Sequence, residues 1–251
     1  VLARQAAGDV FVRNVDDPIL RGWLRPGDEW TKGNGQRVAD ISREHPVHDG
    51  VFLADSAFML ASAGRIQTLC DRAAFPLPGG HNVENALLAI AAVHALGVAP
   101  DHLAEGLATY RGLPHRIERV RDLDGVVFYN DSKATNPHAA ITGLRAFDEP
   151  VVLIAGGHEK DLSLAELSVE VGLHCEAVVL VGECAGRMQR EFPAGVPSEI
   201  LPDLASGVAR ALELARPRRR VVLFSPAASS YDQFRNFEER GDRFRDHVNS
   251  L

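Results

Sequence analysis

The spacing of apolar positions changes along the chain, and the change divides it. Before about residue 80 the apolar residues fall in short runs. Val10-Phe11-Val12 is predicted as a strand, closed by the polar Asn14-Val15-Asp16-Asp17-Pro18. Gly50-Val51-Phe52-Leu53 and Arg65-Ile66-Gln67-Thr68-Leu69 are two more strands, and Lys32-Gly33-Asn34-Gly35 is a turn. From Asn82 to Leu96, the residues Val83, Ala86, Leu87, Ile90, Val93 and His94 recur at helical spacing, and Gly97 stops the helix. A second helix is expected from Asp101 to Tyr110 behind Pro100, with Asp101 as its N-cap.

From residue 112 onward the pattern is more regular. Arg119 to Leu123 and Val126 to Tyr129 flank Asp124-Gly125, a hairpin signal. Asn136-Pro137 places a cap before a first-turn proline, opening a helix expected through Phe147. Val151 to Ala155 is a strand, Ser163-Leu164-Ala165-Glu166 a capping box, and Ala177 to Val181 a strand. Helices follow near Arg187 and over Asp203 to Ala215, then a strand over Val221 to Phe224. A helical tail runs from Gln233, with a break expected near Gly241. Strands that are apolar throughout and alternate with helices predict an α/β fold with a mainly parallel sheet covered on both faces. Ligands of such sheets bind outside the carboxyl ends of the strands, so the loops after Tyr129, Ala155 and Phe224 are the ones to inspect.

Composition narrows the function. The net charge is −7 and the pI about 5.8, which argues against a nucleic-acid partner. The one dense basic run, Arg216-Pro217-Arg218-Arg219-Arg220, reads as a solvated turn before a strand. No apolar stretch reaches the ~18 residues of a membrane helix, and no signal peptide opens the sequence. A cytoplasmic protein without a membrane partner is therefore expected. The three cysteines, Cys70, Cys175 and Cys184, lack C-x-x-C spacing, so neither a disulfide framework nor a zinc site is expected. Val1 is not a methionine and the first residues read as mid-domain, which suggests a piece of a longer chain.

The chemistry-bearing residues cluster in those three loops. Asn130-Asp131-Ser132-Lys133-Ala134-Thr135-Asn136 holds an acid, a cation, two hydroxyls and two amides, next to a helix start suited to an anion. Gly156-Gly157-His158-Glu159-Lys160-Asp161 adds close backbone approach and a second cation, without the G-x-G-x-x-G of a dinucleotide site. Ser225-Pro226-Ala227 through Ser230 leaves room for a ligand. Ordinary polar turns would satisfy each of these patterns taken singly. Gly182-Glu183-Cys184-Ala185-Gly186 is a G-x-C-x-G variant of a nucleophile elbow, with Asp232 and His247 later in triad order. His81 and His115 read as structural hydrogen-bonding groups, and Trp23 and Trp30 are given no role.

Four ordered segments resemble the Mur ligase family: Gly80-His81-Asn82-Val83-Glu84-Asn85-Ala86, Gly112-Leu113-Pro114-His115-Arg116, the Asn130 to Asn136 loop, and Ser225 through Arg240-Gly241. The resemblance covers the whole chain, weakly before residue 79. The Asn130 to Asn136 loop is similar to that of the branch adding D-glutamate. The resemblance implies that residues 1–111 are the rear of a central ATP-binding domain. Residues 112–251 would be a Rossmann-like C-terminal domain that takes the incoming amino acid and closes on ATP about a hinge near Gly112. It further implies ligation of D-glutamate to UDP-N-acetylmuramoyl-L-alanine through an acyl phosphate, with ATP and Mg²⁺. The family's P-loop, carbamylated lysine and Mg²⁺ ligands would lie upstream of Val1, so this segment would be inactive alone and carry no metal ligands.

The same resemblance assigns Asn85 to adenine with Asn82 in support, and Arg116 and Asp131 to phosphate and ribose. It gives Lys133 and Arg116 catalytic roles, and makes Thr135, Lys160, Ser230 and Phe237 the D-glutamate pocket. A monomer acting on small molecules is expected. Three alternatives stay open: a sister ligase of the Mur or folylpolyglutamate type, a non-catalytic amino-acid-binding module, and a Cys184 hydrolase.

Overall fold

The computed structural model describes residues 6, 8–23 and 37–251. The turn expected at 32–35 and Trp30 lie outside them. The chain forms two compact units that divide between Tyr110 and Arg111.

The first unit is a five-stranded mixed sheet with helices on it. Its strands are β1 (Val10–Asn14), β2 (Arg37–Ser42), β3 (Gly50–Ala54), β4 (Ala57–Ser62) and β5 (Arg65–Asp71), hydrogen-bonded in that order. The pairs β1–β2 and β2–β3 are parallel; β3–β4 and β4–β5 are antiparallel hairpins. Strands β2 and β4 escaped the sequence reading. Ala57-Phe58-Met59-Leu60-Ala61 does not alternate, because residues facing opposite ways, such as Leu60 and Ala61, are both buried in separate clusters. The β3–β4 turn puts Asp55 and Ser56 at φ 49° and 60°, the mirror-image turn that suits strand twist, built without glycine.

The helices are α1 (Pro18–Arg21), α2 (Gly80–Ala95) and α3 (Pro100–Thr109). Val83, Ala86, Leu87 and Ile90 of α2 pack with Ile41, Val51, Phe58 and Leu60 of the sheet, and Leu103 and Leu107 of α3 join them. Pro100 occupies the first position of α3, so the cap is Ala99, without a side-chain bond, and Asp101 lies in the first turn. The expected Asp101 cap is corrected: Asp101 lies two residues past the cap, in the first turn, because proline is favoured at the first helical position and sets the helix start there.

The second unit has three layers. Its sheet order is β10-β9-β8-β11-β7-β6, with β6 (Glu118–Leu123), β7 (Val126–Asn130), β8 (Val151–Ala155), β9 (Cys175–Leu180), β10 (Ser198–Ile200) and β11 (Val222–Phe224). Only the β6–β7 hairpin is antiparallel. Along β8, Val151, Leu153 and Ala155 enter one core, and Val152 and Ile154 the other. The first core is closed by α4 (Pro137–Leu144), α5 (Ala165–His174) and α6 (Ala185–Glu191), the second by α7 (Leu204–Ala215) and α8 (Phe237–Ser250). Each fully buried Leu or Ile contributes roughly 2 kcal/mol of apolar burial, which makes the strands the stable frame on which loops are hung.

Several expectations are corrected here. Helix α4 ends at Leu144, short of Phe147, and Ser163 lies outside α5, whose cap is Leu164 without a side-chain bond. Strand β10 is a short edge strand that the pattern did not reveal. Helix α8 starts at Phe237, capped by the Asn236 side chain accepting from Glu239 N–H at 2.8 Å, and runs unbroken through Gly241. The basic run is less solvated than expected: Arg220 pairs with Glu149 and Glu176, and Arg218 with Glu176. No helix among the described residues is long and apolar enough to cross a membrane.

Candidate functional site

Chain connectivity brings the three suspected loops together. Strand β11 lies between β7 and β8, so the carboxyl ends of the three central strands adjoin. This is the place where an open parallel sheet offers a crevice.

Two glycines set the spacing. Gly157 has φ 147°, and a Cβ there would lie 2.3 Å from the Ser229 carbonyl oxygen. Gly182, at φ 80°, would meet the Asp232 carboxylate at 2.4 Å. With hydrogens in place of side chains, the His158 N–H reaches Ser229 O at 2.8 Å and the loops after β8 and β11 bridge.

The hub of the site is Arg240, a residue given no role in the sequence reading. It is 2% exposed. Its Nη1 donates to Ala228 O and Ser229 O at 3.0 Å each, its Nη2 to Ser132 O at 2.9 Å, and its Nε to Ser132 Oγ at 3.1 Å. One side chain from α8 thus ties the loop after β7 to the loop after β11. Burial pulls its pKa down to about 10, so the guanidinium still carries charge at neutral pH, held by carbonyl dipoles.

A second knot fixes the segment before β6. His115 and Ile117 both adopt left-handed backbone, φ 61° and 47°, which is costly for a β-branched residue. The conformation is held by the His115 N–H on Glu118 at 2.9 Å, the Ile117 N–H on Asp131 at 3.2 Å, and the Lys133 N–H on His115 O at 3.0 Å. The buried Asn130 amide donates to His115 Nδ1 at 3.1 Å and to Gly241 O at 3.1 Å. His115 is therefore the structural hydrogen-bonding group its sequence context suggested, with Nδ1 as acceptor. Arg116, between the two strained residues, is exposed.

The structure places the remaining candidates as follows. Asp131 is 5% exposed, with its second oxygen accepting from Ser225 Oγ at 2.8 Å. Each carboxylate oxygen thus accepts one internal bond and keeps a second lone pair. Lys133 is exposed and holds Nζ 5.9 Å from the Phe237 ring, which also meets His115 edge-on. Lys160 Nζ donates to Thr135 O at 3.3 Å, joining the loops after β7 and β8. Ser230 is buried, its carbonyl accepting from Gln233 and Phe234 N–H, directly after the bridged Ser229. In the first unit Asn82 is buried and donates to Pro78 O at 2.7 Å, while Asn85, one turn on, is exposed. Among the described residues no group of three or more His, Cys, Asp or Glu side chains could hold a metal ion.

Burial pushes the Asp131 carboxyl up to about 7, against the opposing pull of the Ser225 and Ile117 bonds and the Arg116 charge. A raised folded-state pKa stabilises the fold fully below about pH 4, and that contribution is lost as pH rises to about 7. Asp131→Asn keeps both bonds if Ser225 rotates its hydroxyl to accept. The variant is expected to gain on the order of 4 kcal/mol relative to wild type between pH 4 and pH 8. Thermal midpoints across that range check this; parallel pH profiles would refute it.

Cys184 does not suit a hydrolase. It is buried, its Sγ lies 3.9 Å from Met188 Sδ, and burial pushes the thiol up to about 11. Asp232, the presumed orienter, instead accepts from the Glu183 N–H at 3.1 Å. Cys70, Cys175 and Cys184 are all free thiols.

Residues 115–228 match the model of the Mur ligase, glutamate ligase domain. The chain is 39% identical, over its whole length and 54% of the relative, to a protein of Pelotomaculum thermopropionicum named UDP-N-acetylmuramoylalanine--D-glutamate ligase. A protein of the same name from Myxococcus xanthus is 41% identical over the whole chain and 54% of its own length. Among solved structures, MurF from Acinetobacter baumannii superposes with a TM-score of 0.62 at 17% identity, over 98% of this chain and 53% of that one. Folylpolyglutamate synthase from Mycobacterium tuberculosis gives 0.54 at 18%, over 86% and 51%. The chain thus spans about half the length of the curated relatives it matches. It therefore carries a Mur ligase, glutamate ligase domain over residues 115–228 and resembles, along its whole length, about half of each of these D-glutamate ligases.

Proposed function

We propose that this chain is the amino-acid-binding half of an ATP-dependent ligase that joins D-glutamate to UDP-N-acetylmuramoyl-L-alanine in peptidoglycan synthesis. The observation that carries the proposal is Lys160: a cation at the carboxyl end of β8 whose Nζ donates to the Thr135 carbonyl across the crevice. An acidic amino acid needs such a cation, with hydroxyl or amide donors beside it, to hold a carboxylate. We assign that role to Lys160 with Thr135, Ser230 and Phe237.

Residues 1–111 then belong to the ATP-binding domain and 112–251 form the C-terminal domain. The nucleotide roles stay with Asn85, backed by Asn82, in the first unit and with Arg116, backed by Asp131, in the second. Lys133 is a phosphate or substrate contact. ATP first phosphorylates the muramoyl-alanine carboxylate. The D-glutamate amine then attacks the acyl carbon; the C–N bond forms, the C–O bond to phosphate breaks, and the amine loses its proton. Residues of this chain position the amine and neutralise charge, the two effects on which such chemistry depends. Mg²⁺ accompanies ATP, with its ligands mostly upstream of this segment. The enzyme works on small molecules, as a cytoplasmic monomer.

The test is phosphate release by the full-length gene product with ATP, Mg²⁺ and UDP-N-acetylmuramoyl-L-alanine, offering D-glutamate, L-glutamate, L-lysine or diaminopimelate. Release with D-glutamate alone is expected. Lys160→Ala should lower kcat/KM for D-glutamate by ~10²-fold, mostly through KM. Release with another amino acid would move the protein to a sister reaction, and no release would leave only amino-acid binding.

A further inference from the structure

We infer that Glu159 and Arg187, residues outside all four family-like segments, form a clasp that positions Lys160 for the amino-acid carboxylate. The inference rests on the ligase reading above.

Lys160 is exposed and sits on a long flexible stem, so a free lysine in its place would lose much of its attraction to side-chain entropy. The loop beneath it is held in an unusual way. A single oxygen, Glu159 Oε1, accepts from the Lys160 N–H at 3.0 Å, the Asp161 N–H at 2.9 Å and Arg187 Nη1 at 2.7 Å. Asp161 lies at φ 56°, a left-handed turn conformation that aspartate tolerates better than most residues. The same guanidinium reaches past the turn: Nη2 donates to Leu162 O at 2.8 Å, and Nε to Glu191 at 2.7 Å. Arg187 and Glu191 both belong to α6, so the turn bearing Lys160 is fastened to a helix of the scaffold. A planar, five-donor fork can bind all three partners at once, which a lysine could not.

The electrostatics keep the clasp closed and leave Lys160 free for a ligand. The Asp161 N–H and the Arg187 charge hold the Glu159 carboxyl below its usual range, so it is ionised at neutral pH. Glu159 spends its charge on Arg187, while Lys160 Nζ donates to a neutral carbonyl. A shallow recess, open to solvent, lies against Lys160, Glu159, Arg187, His158 and Cys184. His158, another lining residue, is held in turn: its Nδ1 meets Glu183 at 2.7 Å.

The experiment uses the full-length gene product and separates KM from kcat. Glu159→Ala is expected to raise KM for D-glutamate ~10-fold, while kcat and the KM for ATP stay within about 2-fold. Glu159→Gln retains a neutral acceptor for the two N–H groups and is expected to cost only ~3-fold, a partial rescue that general damage to the fold would not produce. Arg187→Gln should follow Glu159→Ala, and amide exchange should show the Lys160 and Asp161 N–H groups deprotected in both. A KM for D-glutamate within about 2-fold of wild type in Glu159→Ala and Arg187→Gln, with Lys160→Ala strongly impaired, would overturn the clasp and leave the ligase reading standing. No effect of Lys160→Ala would overturn both.

Discussion

Arg240→Ala destabilises the second unit by about 3–5 kcal/mol, the largest loss expected from any single substitution in this chain. The guanidinium makes four hydrogen bonds inside the protein, three of them to main-chain carbonyls of Ser132, Ala228 and Ser229. Removing it takes their donor from the Ser132 and Ala228 carbonyls and leaves Ser229 O only the His158 N–H, and it opens a void beside Phe224, whose ring lies 5.9 Å from the guanidinium carbon. Solvent cannot compensate without separating the loops after β7 and β11, which Arg240 joins. The unfolding midpoint of that unit should fall by roughly 10 °C. Arg240→Lys keeps charge but not the fork, and should recover less than half the loss. Arg243, on the same helix and 59% exposed, is the control: its alanine variant should shift stability by less than ~0.5 kcal/mol. Thermal and urea unfolding decide the matter, and an Arg240→Ala loss below about 1 kcal/mol would contradict the hub.

Gly241→Ala is the second large effect, and it runs against helix propensity. In the middle of α8, alanine should favour the helix by about 1 kcal/mol over glycine. The Cβ, however, would lie 2.1 Å from His115 Nδ1 and 2.9 Å from its Cγ and Cε1. His115 cannot step aside cheaply. Its N–H, carbonyl and Nδ1 are all engaged, by Glu118, Lys133 and Asn130, and its backbone is already left-handed. The overlap should outweigh the propensity gain, for a net loss of about 3 kcal/mol. Because His115 holds the Lys133 backbone and immediately precedes Arg116, the proposed ligase activity of the full-length gene product should fall as well, with KM for ATP affected more than KM for D-glutamate. Unfolding midpoints and the two KM values test this together. A stabilised Gly241→Ala would mean that the His115 ring has room the structure does not show.

Both predictions arise from contacts that no local pattern announces. The break expected at Gly241 followed from reading glycine as a helix breaker. In the fold it is a helix residue whose missing side chain makes room for a histidine more than a hundred positions away. Arg240 reads as one more cation on a charged helix until β11 inserts between β7 and β8. Glu159 and Arg187 likewise look like ordinary surface charges.

What could be read from the sequence was local or chemical. The continuous apolar runs of β8 and β9, the Asn136-Pro137 and Asp203 helix starts, the Asp124-Gly125 hairpin and the three polar loops were all legible, because period, capping and turn chemistry act over a few residues. Strands β2, β4 and β10 were not: burial on both faces, or a position at the sheet edge, removes the alternation that marks a strand. Cys184 shows the opposite failure, a short motif that suggested chemistry until burial raised its thiol beyond use. By itself, then, the sequence determined the α/β class of the second unit, the order of its central strands and helices and the set of loops that carry charge. Only the tertiary structure decided which of those charges are available to a ligand. Exposure, hydrogen-bond partners and dielectric are properties of the packed site, and they turned Arg240 and Asp131 inward while leaving Lys160, Lys133 and Arg116 at the surface.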